Sequence, residues 1–131
     1  GLVLALVAKD RKIDLKIKLI EKSNKKSNFL NEVIKNFNLN VEVHNKNILK
    51  DHYQFTEDVL VARAFKPIGT ILEVIHNQAI NWKKILIFQG KTGQKELLQA
   101  SKIWDIKYKQ RMSITSKDSK IIEINKIKKI N

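Results

Sequence analysis

The stretch Val59-Leu60-Val61-Ala62-Arg63-Ala64-Phe65-Lys66-Pro67 decides the fold class of this chain. Its apolar start predicts a buried strand, and the proline suits the first turn of a helix, where a missing N–H costs nothing. In open α/β sheets, ligands bind at the carboxyl ends of the strands. The stretch therefore indicates either a binding role for Arg63 at the tip of the strand or an ordinary surface arginine there.

Arginine is rare in this chain, and this sets Arg63 apart from the other cations. Of 26 basic residues only three are arginines, namely Arg11, Arg63 and Arg111. Where lysine is the default cation, a guanidinium indicates a need for a planar, forked donor. The rarity adds weight to the binding interpretation of Arg63.

The length and composition are those of one soluble globular domain. A chain of 131 residues with 43% hydrophobic and 30% charged residues is long enough to form a core. No apolar run reaches membrane-spanning length, and residues 1–8 lack the basic start and cleavage site of a signal peptide. We expect a cytoplasmic, monomeric protein that does not enter a membrane.

The strong positive charge points to a polyanionic partner. The formal net charge is +13 and the pI is about 10.0, so nucleic acid is the natural partner class, because lysines that neutralise phosphates gain affinity through counterion release. The excess is nearly all lysine, alongside abundant isoleucine and asparagine. An AT-rich coding sequence would produce the same pattern without selection for binding, so both interpretations stay open.

The chain contains no cysteine, which excludes a disulfide framework and a thiolate metal site. His44, His52 and His76 show no paired ligand spacing. We interpret all three as structural or surface residues and expect no metal.

Hydrophobic periodicity predicts alternating helices and strands. A first helix, interpreted as buried, runs through about Lys9. A second follows Ser23, which can cap it, and two more start at Pro67 and follow Gly93. Strands are predicted at residues 16–21, 41–44, 59–62, 85–88, 106–114 and 120–127. Residues 45–56 are predicted to form a loop or one helical turn, and residues 116–119 a turn. This order predicts an α/β fold in a single domain over residues 1–131, with a mostly parallel sheet and an antiparallel C-terminal hairpin.

Apolar residues at helical spacing mark the inner faces of two of these helices. The helix after Ser23 presents one stripe packed on the sheet, made of Phe29, Leu30, Val33, Ile34 and Phe37. The helix that starts at Pro67 has an inner face made of Ile68, Ile71, Leu72 and Ile75. The helix after Gly93 carries Leu97, Leu98, Ala100 and Trp104.

Five local motifs follow one another along the chain. They are Gly1-Leu2-Val3-Leu4-Ala5, LIEKSNKKSNFL at 19–30, VEVHNKNI at 41–48, Ala62-Arg63-Ala64 and Ile87-Phe88-Gln89-Gly90. Together they resemble the motifs of the 16S ribosomal RNA guanine-N7 methyltransferase G family, also known as glucose-inhibited division protein B. Asn47, Ile48 and Gln89 depart from the family pattern, which has a small residue, an acid and a lysine at these places.

The resemblance implies a Rossmann-like S-adenosylmethionine methyltransferase sheet, read from just after its first strand. The first strand and glycine-rich loop of the family would precede Gly1, so the chain resembles the C-terminal part of a longer polypeptide. That strand would lie centrally, between those at 16–21 and 59–62. Because its removal exposes two inner edges of unpaired backbone, we expect the chain alone to be poorly stable and to bind the cofactor weakly.

Glu21 is the principal candidate for the cofactor site. In dinucleotide-type sheets, an acid about 20 residues beyond the glycine loop accepts hydrogen bonds from ribose hydroxyls. Glu21 lies at that distance from Gly1, although a solvated glutamate fits the spacing equally well. The resemblance favours the site interpretation and implies that Gly1, Asn47, Ile48 and Arg63 also bind S-adenosylmethionine. Asn47 and Ile48 would flank the adenine, while the alternative for Ile48 is a core isoleucine under the loop.

The chemistry implied by the resemblance needs no proton-transfer group. Guanine N7 already carries a lone pair, so methyl transfer to it requires alignment more than a base. We predict that Arg63 positions the cofactor or the guanine and that no residue acts as a catalytic acid or base.

Lysines in loops and at helix starts are the candidates for contact with the RNA backbone. They are Lys25, Lys26, Lys46, Lys66 and Lys91, with Lys95 nearby. Any one of them alone also fits a solvated surface lysine. The aromatic candidates for stacking on an unpaired base are Tyr53, Phe55 and Phe65, each of which also fits a core position.

Three hypotheses about function remain. The first is methylation of guanine N7 in 16S ribosomal RNA, or in the small ribosomal subunit, by an incomplete S-adenosylmethionine-dependent enzyme. The second is a non-catalytic, basic RNA-binding remnant, and the third is a methyltransferase for another substrate. Cofactor binding separates the first hypothesis from the second, and methyl transfer to 16S RNA separates the first from the third.

Overall fold

A computed structural model describes residues 2–51, 53–63, 67–90, 92–112 and 120–130. The elements are α1 (Leu2–Asp10), β1 (Ile17–Ile20), α2 (Asn24–Phe37), β2 (Val41–His44), β3 (Val59–Arg63), α3 (Ile68–Gln78), β4 (Lys84–Gln89), α4 (Gly93–Ala100), β5 (Trp104–Met112) and β6 (Lys120–Lys129). The backbone packs as two compact units, Gly1–Tyr53 and Gln54–Asn131, called unit 1 and unit 2 below. Each unit is described by itself, and the single-domain organisation stays a prediction.

Unit 1 is built on two parallel strands joined by a helix. β1 pairs with β2 from Ile17 opposite Val41 to Ile20 opposite His44. The connecting helix α2 starts at Ser23, whose side chain accepts a hydrogen bond from the Lys26 N–H at 3.2 Å. It ends at Asn38, which adopts a left-handed conformation (φ 50°) that suits a helix C-cap. The expected Ser23 cap is therefore confirmed, and it fixes where the chain leaves β1.

The two helices of unit 1 are less buried than their sequences predict. Among the α1 side chains that the structure describes, from residue 4 onward, Ala5 and Ala8 are buried, while Leu4, Leu6 and Val7 are exposed. In α2 the middle of the predicted stripe is half-buried, but Phe29 and Phe37 at its ends are 62% and 56% exposed. The prediction that the whole stripe packs on the sheet is therefore wrong at Phe29 and Phe37, whose side chains are mostly exposed.

Unit 2 contains a four-stranded sheet with the order β3-β4-β6-β5. β3 and β4 are parallel, and Arg63 lies opposite Phe88 at their carboxyl ends. β6 runs antiparallel to both β4 and β5, so the last two strands form the expected antiparallel hairpin. The described strands thus form two parallel and two antiparallel pairs, which confirms an α/β fold with parallel strands and an antiparallel C-terminal hairpin.

Helices α3 and α4 supply the core on one face of this sheet. The fully buried residues there are Ile68, Leu72, Ile85, Ile87, Leu97, Trp104, Ile122 and Ile124. The predicted inner face of α3 is confirmed, since Ile68, Ile71, Leu72 and Ile75 are all buried. We call the other side of the sheet the open face; on it Val59, Val61 and Phe88 are 48%, 50% and 40% exposed.

The C-terminal half of the chain shows one misplaced residue. Trp104 is the first residue of β5 and does not belong to α4, which ends at Ala100. Ser101 closes α4 by donating its hydroxyl to the Leu97 carbonyl at 2.8 Å. Leu98 lies on α4 as predicted, and its side chain is 61% exposed. Residue 114 and the predicted turn at 116–119 lie outside the described residues.

Within the part of the chain that the structure describes, no helix is long and apolar enough to cross a bilayer.

Gly93, at the start of α4, lies against Gln89 of β4, and a side chain there should be costly. A Cβ on Gly93 would lie 2.6 Å from both the Cβ and Cδ of Gln89, which is 3% exposed. We expect Gly93→Ala to lower the free energy of unfolding by about 1 to 3 kcal/mol through overpacking. Urea unfolding followed by circular dichroism measures the change.

Gly69 provides the matched control for this substitution. A Cβ on Gly69, in the first turn of α3, would have no neighbour within 4 Å. Gly69→Ala should leave stability unchanged or raise it by up to about 1 kcal/mol, because alanine favours the helix. Equal effects of the two alanines would contradict the close packing of Gly93 on Gln89.

Candidate functional site

Glu21 lies directly beyond the carboxyl end of β1, and the backbone holds it there. Its N–H donates to the His44 carbonyl at 3.0 Å, which extends the β1–β2 pairing by one step. Its carboxylate accepts a hydrogen bond from the Ser23 N–H through Oε1 at 3.2 Å. The second carboxylate oxygen has no hydrogen-bond partner among the described residues. A half-buried carboxylate with one oxygen anchored and one available suits a hydroxyl-bearing ligand.

Two further side chains secure the backbone around Glu21. Ser27, which is 4% exposed in α2, donates its hydroxyl to the Glu21 carbonyl at 3.3 Å. Asn45, after β2, can turn its amide nitrogen to lie 3.0 Å from the Glu21 carbonyl and 3.2 Å from the Lys22 carbonyl. These residues position the acid rather than contact a ligand. The sequence analysis missed both, because their partners are backbone atoms that no motif identifies.

The loop that carries Asn47 and Ile48 is a closed hydrogen-bonded turn. The Asn47 side chain accepts from the Leu49 N–H at 3.0 Å, and the Asp51 carboxylate accepts from the Asn47 N–H at 2.7 Å. The Asp51 N–H donates a hydrogen bond to the Asn47 carbonyl at 2.7 Å. Of the two alternatives predicted for residues 45–56, a loop or one helical turn, residues 47–51 form the turn. The side-chain oxygen of Asn47 is therefore hydrogen-bonded within the loop. Ile48 is half-buried beside it.

The structure brings Glu21 and this loop to the same edge of the unit 1 sheet. β1 and β2 are parallel, so Glu21 and residues 45–51 both follow carboxyl ends of strands. Three of the predicted RNA-contacting lysines belong to the same edge: Lys25 and Lys26 in the first turn of α2, and Lys46 in the loop, all exposed. Anions are favoured near a helix N-terminus, and these lysines add to that preference.

Glu42 on β2 lies in a cluster of charged and polar side chains in unit 1. The pKa of its carboxylate lies below the ordinary 4.5 because of a hydrogen bond with His44 and the ion pair with Lys16, whose Nζ is 3.4 Å away. His44 also meets the Tyr53 ring edge-on, with centroids 5.6 Å apart. Tyr53 is therefore engaged within unit 1, as expected for a structural aromatic residue.

In unit 2, the carboxyl ends of β3 and β4 place the backbone of Arg63 beside Phe88 and Gln89. The side chain of Arg63 lies outside the described part of the structure. Gln89 points into the core, where its amide nitrogen donates to the Gly93 carbonyl at 3.2 Å and its oxygen has no partner among the described residues. Gln89 therefore acts in helix packing here, at a position where the family pattern has lysine.

Several predicted residues fall outside the described ranges: Gly1, His52, Phe65, Lys66 and Lys91. Phe55 is half-buried and bridges to Ala79, while Lys95 is exposed on α4. His76 packs on the Trp104 ring with centroids 5.1 Å apart, in line with a structural role. Among the described residues, no group of three or more histidine, aspartate or glutamate side chains is arranged to hold a metal.

Comparison with known proteins assigns the chain to a family. The model of rRNA small subunit methyltransferase G (GidB) matches residues 1–125. The chain belongs to the GidB family. This confirms the family suggested by the five motifs.

Curated members of the GidB family are similar along the whole of this chain. The ribosomal RNA small subunit methyltransferase G of Pelagibacter ubique (strain HTCC1062) is 37% identical over 131 residues, which is 100% of this chain and 61% of that protein. The protein of the same name from Rickettsia felis is 32% identical over 115 residues, covering 88% of this chain and 58% of its own length. The GidB-family chain thus spans about three fifths of the relatives that it matches.

Solved structures confirm a Rossmann-like methyltransferase fold for this GidB-family chain. M. jannaschii TYW2, in complex with AdoMet, matches with a TM-score of 0.61 at 15% identity over 99% of this chain and 65% of its own. M. capricolum TrmK, in complex with S-adenosyl-homocysteine, matches with a TM-score of 0.58 at 19% identity over 92% of this chain and 55% of its own. At these identities the likeness concerns the fold.

Proposed function

We propose that this chain is part of an S-adenosylmethionine-dependent enzyme that methylates guanine N7 in 16S ribosomal RNA. The observation that carries the proposal is the Glu21 edge of unit 1, with its anchored carboxylate, in a chain of the GidB family. The match to TYW2 and TrmK, whose structures contain AdoMet and its product, supports the same cofactor. The protein would act in the cytoplasm as a monomer.

In this proposal, the residues at the carboxyl ends of the strands bind or orient the cofactor and the target guanine, and none transfers a proton. The available oxygen of Glu21 accepts hydrogen bonds from the ribose hydroxyls of the cofactor, while Asn47 and Ile48 flank its adenine. Gly1 approaches the cofactor by its backbone, and Arg63 orients the cofactor or the guanine O6. The cofactor, when bound, would supply an electrophilic methyl group on its sulfonium. Guanine N7 would attack this carbon with its own lone pair as the carbon–sulfur bond breaks, which leaves S-adenosylhomocysteine and a cationic 7-methylguanine.

The RNA backbone would be held by lysines around these edges. Lys25, Lys26 and Lys46 are exposed at the Glu21 edge, and Lys66 and Lys91 follow β3 and β4 in the sequence. Their phosphate contacts would position the RNA without reading its sequence.

Incubation with methyl-labelled S-adenosylmethionine and 16S RNA tests the activity. The expected product is 7-methylguanosine, identified by mass spectrometry after nuclease digestion, from either naked RNA or small-subunit particles. RNA transcribed with 7-deazaguanine should accept no methyl group, because it lacks the N7 lone pair. Cofactor binding without methylation of either form of RNA would instead favour another substrate, and a chain that binds RNA but no cofactor would be a non-catalytic remnant.

A further inference from the structure

The open face of unit 2 is apolar on β3 and β4 and basic on the β5–β6 hairpin, where a bulge sets which side chains face outward. Lys107 lies opposite Lys126, but the next residue, Tyr108, lies opposite Ile124, so Asn125 is an extra residue in β6. The extra residue interrupts the in-out alternation of side chains along β6, so residues before and after the bulge can face the core although an odd number of positions separates them. Ile122, Ile124 and Ile127 all face the core as a result, and Lys126 and Lys128 point to the open face.

Four lysines therefore share the hairpin half of the open face, and we call them the lysine stripe: Lys107, Lys109, Lys126 and Lys128. All four side chains are exposed, and none of their ammonium groups forms an ion pair or a hydrogen bond with a described residue. Alternate residues of a strand are about 7 Å apart and neighbouring strands about 5 Å apart. The four ammonium groups thus form a flat basic patch rather than a pocket.

The acids on this part of the sheet do not neutralise the stripe. Glu123 lies opposite Lys109, but its carboxylate is held by Lys84 at 3.3 Å and is only 16% exposed. Asp105 lies opposite Lys128 and is the remaining acid of the described hairpin. The central pair, Lys107 opposite Lys126, has no acid between its members.

This arrangement opposes folding rather than favours it. Like charges directly opposite each other in a sheet are destabilising. A multivalent anion lying across the pair would remove the repulsion and release its own counterions. The hairpin half of the face also carries few apolar and no described aromatic side chains, so it lacks the anchors with which a basic surface enters a lipid bilayer.

We infer that the lysine stripe binds consecutive phosphate groups of an RNA backbone, as a second contact surface for the substrate. This inference rests on the proposed function, because it takes ribosomal RNA as the polyanion. The contact is sequence-independent and fixes the orientation of the RNA, while the strand edges described above hold the cofactor and the target base.

The experiment compares Lys107→Gln/Lys126→Gln with the wild-type 131-residue chain. Binding to transcribed 16S RNA is titrated over a range of salt concentrations. Removing two phosphate contacts should reduce the slope of log K against log [salt] by roughly 1.5 and weaken binding at low salt. The matched control is Lys12→Gln/Lys35→Gln, which removes the same charge from exposed positions of unit 1 and should keep the wild-type slope.

A substitution that removes a negative charge beside the lysine stripe provides a second test with the opposite expected effect. Asp105→Asn removes the acid beside the stripe, so it should tighten RNA binding several-fold. Equal slopes for the two lysine double variants, or no gain from Asp105→Asn, would overturn the inference. Tighter binding of phosphatidylserine vesicles or polyglutamate than of RNA, with the same dependence on Lys107 and Lys126, would also overturn it in favour of a lipid or an acidic protein.

A footprint provides a measurement that does not depend on variants folding. RNA bound to the wild-type chain should protect Lys107, Lys126 and Lys128 from acetylation and leave Lys12 and Lys35 reactive. Equal protection of both groups would contradict the stripe. If the wild-type chain fails to bind RNA at all, the proposed function itself fails; if it binds RNA and only the stripe is unprotected, this inference alone fails.

Discussion

Glu21→Gln is expected to weaken the binding of S-adenosylmethionine by about 10- to 100-fold. Glutamine keeps the shape of the side chain and can still accept the Ser23 N–H, but it loses the charge and one acceptor for the ribose hydroxyls. A hydrogen bond to a charged group contributes about 1.5 to 3 kcal/mol, which corresponds to this range of affinity. Ligand-observed NMR suits the measurement because it detects weak binding.

Glu32→Gln is the matched control for this experiment. Glu32 is exposed on α2, the helix that follows Glu21, and has the same charge. Its replacement should leave cofactor affinity unchanged. If both variants bind the cofactor like the wild-type chain, Glu21 is a solvated glutamate and not a ligand of the ribose.

Ser27→Ala tests whether the anchoring of Glu21 matters beyond stability. The variant removes the hydroxyl that donates to the Glu21 carbonyl, while leaving the carboxylate in place. We expect a smaller loss of affinity than for Glu21→Gln, together with a loss of stability of about 1 kcal/mol. Unchanged affinity at reduced stability would make Ser27 a purely structural residue.

Trp104→Ala is expected to unfold unit 2. Trp104 is 1% exposed at the start of β5, packs against His76, and has Lys129 Nζ 5.7 Å from its ring centroid. Loss of a buried tryptophan costs about 3 to 5 kcal/mol, which is a large part of the total stability of a small domain. Loss of the cooperative urea transition is the expected result.

The neighbouring residue provides the control for Trp104. Ile103 is 53% exposed, so Ile103→Ala should change the free energy of unfolding by less than about 1 kcal/mol. Trp104→Phe should lower the free energy of unfolding by an amount between those of Ile103→Ala and Trp104→Ala. A native-like transition in Trp104→Ala would show that the core of unit 2 does not depend on this side chain.

The sequence predicted the element order because each element had a clear local signal. Val41–His44 is found with the predicted boundaries, since it alternates and follows an asparagine-rich turn. The strand 59–62 extends by one residue to Arg63, and Pro67 stands just before α3 as its cap rather than inside it. These are differences at element ends, where local signals are weakest.

Trp104 shows where a local pattern misleads. Its spacing from Ala100 continues the period of α4, so the sequence favoured a helical position. The helix stops instead at Ser101, and Trp104 enters β5, where it fills the core among α3, β6 and Lys129. Burial of a large ring against distant elements outweighs one more turn of helix, and that gain cannot be read from neighbouring residues.

The candidate site also has one part that the sequence predicted and one part that only the folded structure shows. The position of Glu21 after a strand and the five motifs were enough to identify the family and the acid at its edge. The anchoring of that acid by Ser23 and Ser27 depends on hydrogen bonds that form only when the chain turns from β1 into α2 in the folded unit.

The sequence by itself determined the order of helices and strands, the basic charge and the position of Glu21, because these follow from local periodicity and composition. The tertiary structure alone decided which lysines share a face. One extra residue, Asn125, changes the register between β5 and β6, and a one-residue shift moves side chains to the other side of a sheet. That pairing between distant strands sets Lys107 opposite Lys126, and no local pattern contains it.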